Sequence, residues 1–459
     1  MIYKLIPDKY RKWSTLLGGF LIHLSIGSIL TFGNMIPYIT SYLRVYGKHN
    51  IRYSQTIWIA TAYNFAFALS SLFSGVLVSH LNFKIKFNIL IGIVLSTLGT
   101  CLTYLTIQYS FLLTVLTYGI LFGIGSGFSY VGPLSIAMKW FPKNNGFSNS
   151  IILFGYGTSS IIFDQIQTMY INPNNLSPDQ VFSSINSNEK YFSNLNLLEK
   201  IPNTFLILGL TYLIIQLLGF LLLAEKPELI ETKTINVDNE FSIELPVNKQ
   251  NSLGVFYEDP NDGLTLKLAS KKPVFWILFF IVFAQIVPCG LVLNFYKTFG
   301  LTFISNDKFL SQVGSISALF NALGNFLWGF LIEKMSYKIT NLILSTCLVA
   351  LTSTLYLIQY SNLNFLYAIH VGFIMVCRSG IFVLLPTVTA RTFGPKHFQA
   401  IYGALNLAGL LSSFVIGELG SHVYLFGWFW LFFTCSLIAF LGWLLAFCYN
   451  VKNSKNEYV

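Results

Sequence analysis

The chain has 459 residues, is 54% hydrophobic and only 10% charged, and carries a net charge of +10; its mean hydropathy is +0.63. A water-soluble domain runs near 25% charged residues, so a soluble fold is excluded. The basic residues lie in short loops between apolar runs and form no stripe interleaved with exposed aromatics, which excludes a nucleic-acid-binding surface.

In chain order, segment 1–13 is polar and holds Lys4, Lys9, Arg11 and Lys12. The apolar run from Ser14 to Tyr38 is too long for a signal peptide and lacks a small-residue cleavage site, so it reads as the first membrane span. Further apolar runs are each long enough to cross a hydrocarbon core of about 30 Å as a helix. They predict spans at 57–80, 87–107, 111–138, 147–170 and 202–224, then at 274–296, 311–332, 341–358, 365–389, 398–419 and 424–448. In the fourth span Gly119, Gly123 and Gly127 recur at four-residue spacing, which leaves three bare backbone patches on one helix face for a close neighbour. Segment 171–200 is rich in Asn, Ser and Pro and reads as an extramembrane loop; its Asn175-Leu176-Ser177 is a glycosylation acceptor motif. Segment 225–272 is polar, mixed in charge and without helical period, as a flexible linker would be.

The predicted fold is an all-α membrane protein of twelve transmembrane helices: tail 1–13, six-helix bundle 14–224, linker 225–272, six-helix bundle 273–448 and tail 449–459. Placing both tails and the linker on one side puts roughly twenty Lys and Arg there and roughly seven opposite, with Arg44, Lys48 and Arg52 as the main exceptions; by the positive-inside rule that side is cytosolic. The protein is then a multi-pass integral protein of a plasma or organelle membrane. Six cysteines without paired spacing indicate neither a metal site nor a disulfide framework. No Ser/Lys, paired-Asp or His-Glu-x-x-His constellation marks an enzyme, and nothing marks a cofactor site.

A shift of about 254 residues lays Gly75 to Lys84 onto Gly329 to Lys338, and a shift of about 253 lays Ser126, Gly127, Pro133, Pro142 and Lys143 onto Ser379, Gly380, Pro386, Pro395 and Lys396. Two independent segments at nearly one offset indicate a duplication of six spans. The six-plus-six plan, the long central loop and the Gly-x-x-x-acid-base-x-small-x-basic turn after spans two and eight resemble the major facilitator superfamily. Gly329, Glu333, Lys334 and Lys338 keep that turn, which in the superfamily helps hold the inner gate. The first copy has Ser79 and His80 in place of the acid and base, a departure that bears on the balance between open states.

The run Gly125 to Pro142, with Gly146 and Phe154-Gly155-Tyr156-Gly157, resembles the oxalate/formate exchanger and monocarboxylate porter group. That likeness implies a carboxylate pocket lined by Tyr130 and Tyr156, whose hydroxyls donate hydrogen bonds; ordinary packing is the other reading of both. Where monocarboxylate porters carry an acid and an arginine in span eight, this chain has Asn321 and Asn325, and where the exchangers carry a lysine in span eleven it has Ala408. The one basic residue inside a long apolar run is Arg378, in the tenth span. A cation there costs roughly 2.5–3.5 kcal/mol on insertion scales and faces a protein interior or aqueous cavity. One guanidinium holds one carboxylate bidentately, so a monocarboxylate such as pyruvate or lactate fits, with Asn321, Asn325 and Asn406 either shaping the pocket or bridging helices. The missing span-eight pair leaves exchange or facilitated diffusion open.

Asp164 and Glu418 fall at the outer ends of the paired fifth and eleventh spans, where solvation at the interface or a gating or proton-carrying role is available to each. His23 and His370 read as packed or interfacial residues. The sequence thus points to a monomeric transporter of a small organic anion in a lipid bilayer, working by alternating access. The alternatives are an amino-acid carrier, with Arg378 on the α-carboxylate, and a non-transporting membrane sensor.

Overall fold

The structure, a computed structural model, describes residues 7–47, 51, 53–81, 83–174, 176, 178–181, 190–226, 263–300, 302–304, 307–361, 363–421 and 423–451. Asn175, Ser177 and most of the expected linker lie outside these residues. Twelve long helices account for nearly all of the rest. In the first half they are α1 (Asp8–Ile26, continued by the 3₁₀ turn Gly27–Thr31 into Phe32–Val45), α2 (Trp58–His80), α3 (Ile85–Tyr109), α4 (Phe111–Thr114, a π turn Val115–Leu121, then Phe122–Trp140), α5 (Asn145–Ile171) and α6 (Lys200–Leu222). In the second they are α7 (Pro273–Gly300), α8 (Asp307–Lys334), α9 (Tyr337–Thr354, ending in the 3₁₀ turn Leu355–Tyr360), α10 (Asn364–Phe393), α11 (Phe398–Ser421) and α12 (Val423–Cys448). A pair of two-residue antiparallel strands, Gln180–Val181 with Lys190–Tyr191, closes the loop between α5 and α6. The expected first span stops at Tyr38, whereas α1 runs on to Val45 because Pro37 is accommodated within the helix.

Eleven of these helices are long and apolar enough to cross a membrane. The exception is α5, which is rich in Asn, Ser, Gly and Gln and contains Asp164. Its polarity follows from its place: it packs against α1 in its own half and against α8 and α10 across the divide, so protein rather than lipid meets most of it. Large apolar side chains elsewhere, such as Phe73, Leu105, Ile214, Phe330 and Phe373, are exposed, as lipid-facing residues are.

Pairing of helices repeats between the halves. In the first, α1 packs with α5 and α6, α2 with α4, and α3 with α4 and α6; in the second, α7 packs with α11 and α12, α8 with α10, and α9 with α10 and α12. The halves meet through α2 against α11 and α5 against α8, contacts that the same exchange of halves interconverts. The fold is thus two six-helix pseudo-repeats in face-to-face association.

Apolar helices in lipid gain little from hydrophobicity against one another and rely on close packing. The glycine stripe of α4 does this against α2. A Cβ on Gly119 would lie 3.0 Å from the Ile59 carbonyl oxygen, on Gly123 2.7 Å from that of Tyr63, and on Gly127 2.1 Å from the Ser70 hydroxyl. All three bare patches face one helix, as their spacing predicts. Gly394, at φ 86°, ends α10 in the left-handed region where glycine is at ease.

Candidate functional site

Arg378 lies near the middle of α10 and keeps part of its surface exposed. Among the described residues its guanidinium makes no ion pair and no side-chain hydrogen bond; it sits over the Phe382 ring, 5.1 Å from the centroid. Its charge reaches Tyr130 and Tyr156 in the opposite half and Cys289 on α7. A cation in a low-dielectric interior without a counter-charge is costly, and a site that holds one open is suited to receive an anion.

Tyr130 and Tyr156 belong to a wider cluster of aromatic hydroxyls. Tyr130 of α4 meets Tyr156 of α5 edge to face at 5.9 Å and stacks on Tyr402 of α11 at 6.4 Å, with the planes 7° apart. This stack joins the two halves. Tyr63 of α2 approaches Tyr156 and Ser126, and Tyr402 approaches Tyr130 and Asn406. Even so, Tyr63 Oη, Tyr402 Oη, Ser126 Oγ and Asn406 Nδ2 are buried without a hydrogen bond of good geometry. Buried polar groups are usually satisfied, so this collection of idle donors and acceptors around one cation marks a place where a polar molecule can supply the missing bonds. His23 of α1 stands beside the cluster, its ring 4.9 Å from that of Tyr130. Its Nδ1 bonds to the Gly19 carbonyl at 3.0 Å, and its Nε2 is buried without a partner.

Tyr63 and Tyr402 were not singled out by the sequence, which read His23 as packed or interfacial; His23 is fully buried. Tyr402 carried a usable signal, since it lies one helical turn before Asn406 and shares its face. Tyr63 offered none. The asparagines divide. Asn321 Oδ1 is buried and unpartnered, whereas Asn325 Nδ2 donates to Leu153 O of α5 at 3.4 Å and to Asn321 O at 3.2 Å, which makes it a bridge between halves. Both amides lie against Gly157, where a Cβ would come within 3.1 Å of Asn325 Nδ2 and 3.3 Å of Asn321 Nδ2.

On the side where both termini lie, the halves are latched. Glu333 at the end of α8 reaches across to the start of α5: Oε1 accepts from the Gly146 amide at 2.5 Å and the Phe147 amide at 3.4 Å. Its Oε2 pairs with Arg391 of α10 at 3.3 Å, and Arg391 also donates to Ile332 O at 3.2 Å. An anion at a helix N-terminus satisfies free amides and complements the helix dipole. Gly329 lets this contact close, since its Cβ would lie 2.6 Å from Ser150. The remaining residues of the turn work elsewhere. Lys334 is exposed over Phe330, and Lys338 covers Phe447 in the last turn of α12 and bonds Asn450 just beyond it.

The equivalent contact between α2 and α11 has no such carboxylate. Ser79 Oγ donates to Gly75 O of its own helix at 2.7 Å, and the backbones press together instead: a Cβ on Gly75 would lie 2.4 Å from the Gln399 carbonyl, and one on Gly403 2.7 Å from Ser71 O.

Asp164 and Glu418, near-equivalents in the repeat, occupy unlike surroundings. Glu418 is exposed, while Asp164 is partly buried with Oδ1 enclosed and unpartnered. The difference follows from place: α5 lies between helices where α11 turns this end outward. His370 is held by Leu351 O at 2.8 Å and Thr354 Oγ1 at 3.1 Å, away from the site.

The description "Major Facilitator Superfamily" belongs to the family model that matches residues 15–306 and 290–458. The chain is 24% identical over 478 residues to Apicoplast pyruvate carrier 1 of Toxoplasma gondii, covering 91% of this chain and 85% of that one. It is 23% identical over 521 residues to Apicoplast pyruvate carrier 2 of the same organism, covering 88% and 76%. Among solved structures, the human organic anion transporter MFSD10 superposes with a TM-score of 0.65 at 14% identity over 96% of this chain and 100% of that one. The proton:xylose symporter XylE superposes equally well at 12% identity over 96% of each. At such identities the superpositions establish the fold.

Proposed function

This chain belongs to the Major Facilitator Superfamily, and we propose that it carries a small monocarboxylate of the pyruvate or lactate kind by alternating access of its two halves. The observation that carries the reading is Arg378: a central cation with no described counter-charge, within electrostatic reach of Tyr130 and Tyr156 of the opposite half. A guanidinium pairs with one carboxylate through two parallel hydrogen bonds, and Tyr130, Tyr156, Tyr63 and Tyr402 offer hydroxyls to the rest of a small polar molecule. A second cation for a dicarboxylate has no place here, since Ala408 stands where a span-eleven lysine would be. Relatives named for pyruvate support the same substrate class. In this reading bundles 14–224 and 273–448, joined by 225–272, rock about the site in a monomer whose termini face the cytosol.

The test is saturable uptake of labelled pyruvate by the purified protein in liposomes. Replacing Arg378 by Gln removes charge-assisted bonds worth about 1.5–3 kcal/mol, so KM rises at least about tenfold, with Arg378→Lys falling between. Unchanged saturable uptake in Arg378→Gln would sink the proposal. Competition by neutral amino acids without competition by pyruvate would transfer the arginine to an α-carboxylate, and binding without flux would indicate a sensor.

A further inference from the structure

A second polar feature crosses the first bundle and is not needed to hold a carboxylate. Asp164 sits on α5 two turns beyond Tyr156, about 12 Å along the helix at 1.5 Å per residue. Its Oδ1 is enclosed without a hydrogen-bond partner, and among the described residues no cation pairs with it. The hydroxyls that face it are Tyr118 from the π turn of α4 and Tyr212 from α6, both within its electrostatic reach, with Ser28 from the 3₁₀ turn of α1 beside Tyr212. Tyr118, Tyr212 and Ser28 are themselves buried and unpartnered at their oxygens. Tyr118 neighbours Tyr63 of α2, Tyr63 neighbours Tyr156, and Tyr156 feels Arg378 of α10. His23 of α1 faces Tyr130 in the same bundle, and α8 brings the amides of Asn321 and Asn325 against Gly157 of α5. A line of idle hydroxyls therefore runs from a buried carboxyl to the substrate cation.

Charge balance gives this line a purpose. The empty carrier holds Arg378⁺ and, when deprotonated, Asp164⁻, and its interior is neutral. A carboxylate arriving alone leaves one uncompensated negative charge, which is expensive to carry through a low-dielectric interior. If Asp164 takes one proton as the carboxylate binds, the loaded carrier is neutral again. The half-loaded forms, carboxylate without proton or proton without carboxylate, each carry one net charge and reorient poorly.

We infer that Asp164 is the proton-carrying group of a symport in which one proton moves with each carboxylate, an inference that rests on the reading of Arg378 above. The proton enters onto a carboxylate oxygen of Asp164 on one side and leaves it on the other, and Arg378 remains protonated throughout.

Proteoliposomes test this with labelled pyruvate under two regimes, uptake driven by an acid-outside gradient and exchange without a gradient. With one proton per carboxylate, a one-unit gradient drives about a tenfold accumulation. Asp164→Asn, permanently neutral, is expected to lose that accumulation while still exchanging pyruvate; Asp164→Glu is expected to keep it. A membrane potential imposed with potassium and valinomycin is expected to leave wild-type uptake unchanged, and this measurement needs no variant. Accumulation retained in Asp164→Asn, wild-type uptake that ignores the gradient, or uptake that follows the potential would each overturn the coupling and leave the carboxylate reading standing. Absence of both uptake and exchange of pyruvate in the wild type would overturn the carboxylate reading and the coupling with it.

Discussion

Glu333→Gln offers a direct measurement of how the two halves are held on their terminal side. The glutamine keeps an oxygen for the Gly146 amide, which Glu333 meets at 2.5 Å, but it loses the negative charge. Two contributions go with that charge. A carboxylate at a helix N-terminus is worth about 0.3–1 kcal/mol when exposed and up to about 2 in partly buried settings. Pairing with Arg391, at 3.3 Å with side chains 19% and 12% exposed, belongs near the upper end of the range for surface pairs, about 1 kcal/mol. That pair lies within one half, on α8 and α10, and persists when the halves part, so the latch itself is worth about 0.3–2 kcal/mol and the variant shifts the ratio of latched to open protein by roughly twofold to 30-fold. Spin labels on the exposed residues Lys143 and Lys334, one on each side of the contact, would report this as a growing long-distance population in a pulsed dipolar experiment. A distance distribution identical to that of the labelled parent would show that the carboxylate does not hold the halves together, and the energetic argument would fall.

Two further tests follow. Gly75→Ala drives a methyl toward the Gln399 backbone at 2.4 Å, and overpacking of this kind costs about 1–3 kcal/mol; the same spin-label pair should register opening, additive with Glu333→Gln because the contacts lie on opposite flanks. In the loop between α5 and α6, Asp179 accepts from the Ser193 amide at 3.0 Å and hydroxyl at 2.5 Å, bonds that hold its carboxyl below the ordinary value of 3.8. A depressed value means the contact is present above 3.8 and is lost as the pH falls through the lower folded-state value. Asp179→Asn should therefore speed amide exchange at Ser193 near neutral pH, with the two proteins converging in acid; equal exchange at neutral pH would show that the bonds do not order the loop.

Much of this was legible in the chain because membrane spans announce themselves. Length and apolarity locate helices with little help from tertiary structure, and the repeat of Gly75 to Lys84 at Gly329 to Lys338 located the halves. Arg378 stood out because charge inside such a run is conspicuous. What stayed hidden depends on partners distant in sequence. That Glu333 would bond the amides of Gly146 and Phe147 is unreadable, since every residue but proline offers the same N–H. Tyr63 and Tyr402 belong to a chain with 25 tyrosines, and only the folded bundle shows that their hydroxyls are buried without a hydrogen-bond partner beside Tyr130 and Tyr156. Asp164 and Glu418 are alike in sequence and separated by context, because one helix of the pair is interior where the other faces out.

The polarity of α5 has a consequence for how the protein is made. A translocon judges each segment by its own side chains as it emerges, and α5 brings Asp164 and many amides and hydroxyls where its eleven companions bring mostly hydrocarbon. Its favourable contacts lie with α1, already synthesised, and with α8, which emerges more than a hundred residues later. For the interval of synthesis that separates α5 from α8, the first bundle must shelter a polar helix whose partner does not yet exist, so this helix gains its full protein surroundings only once the second half has begun to form.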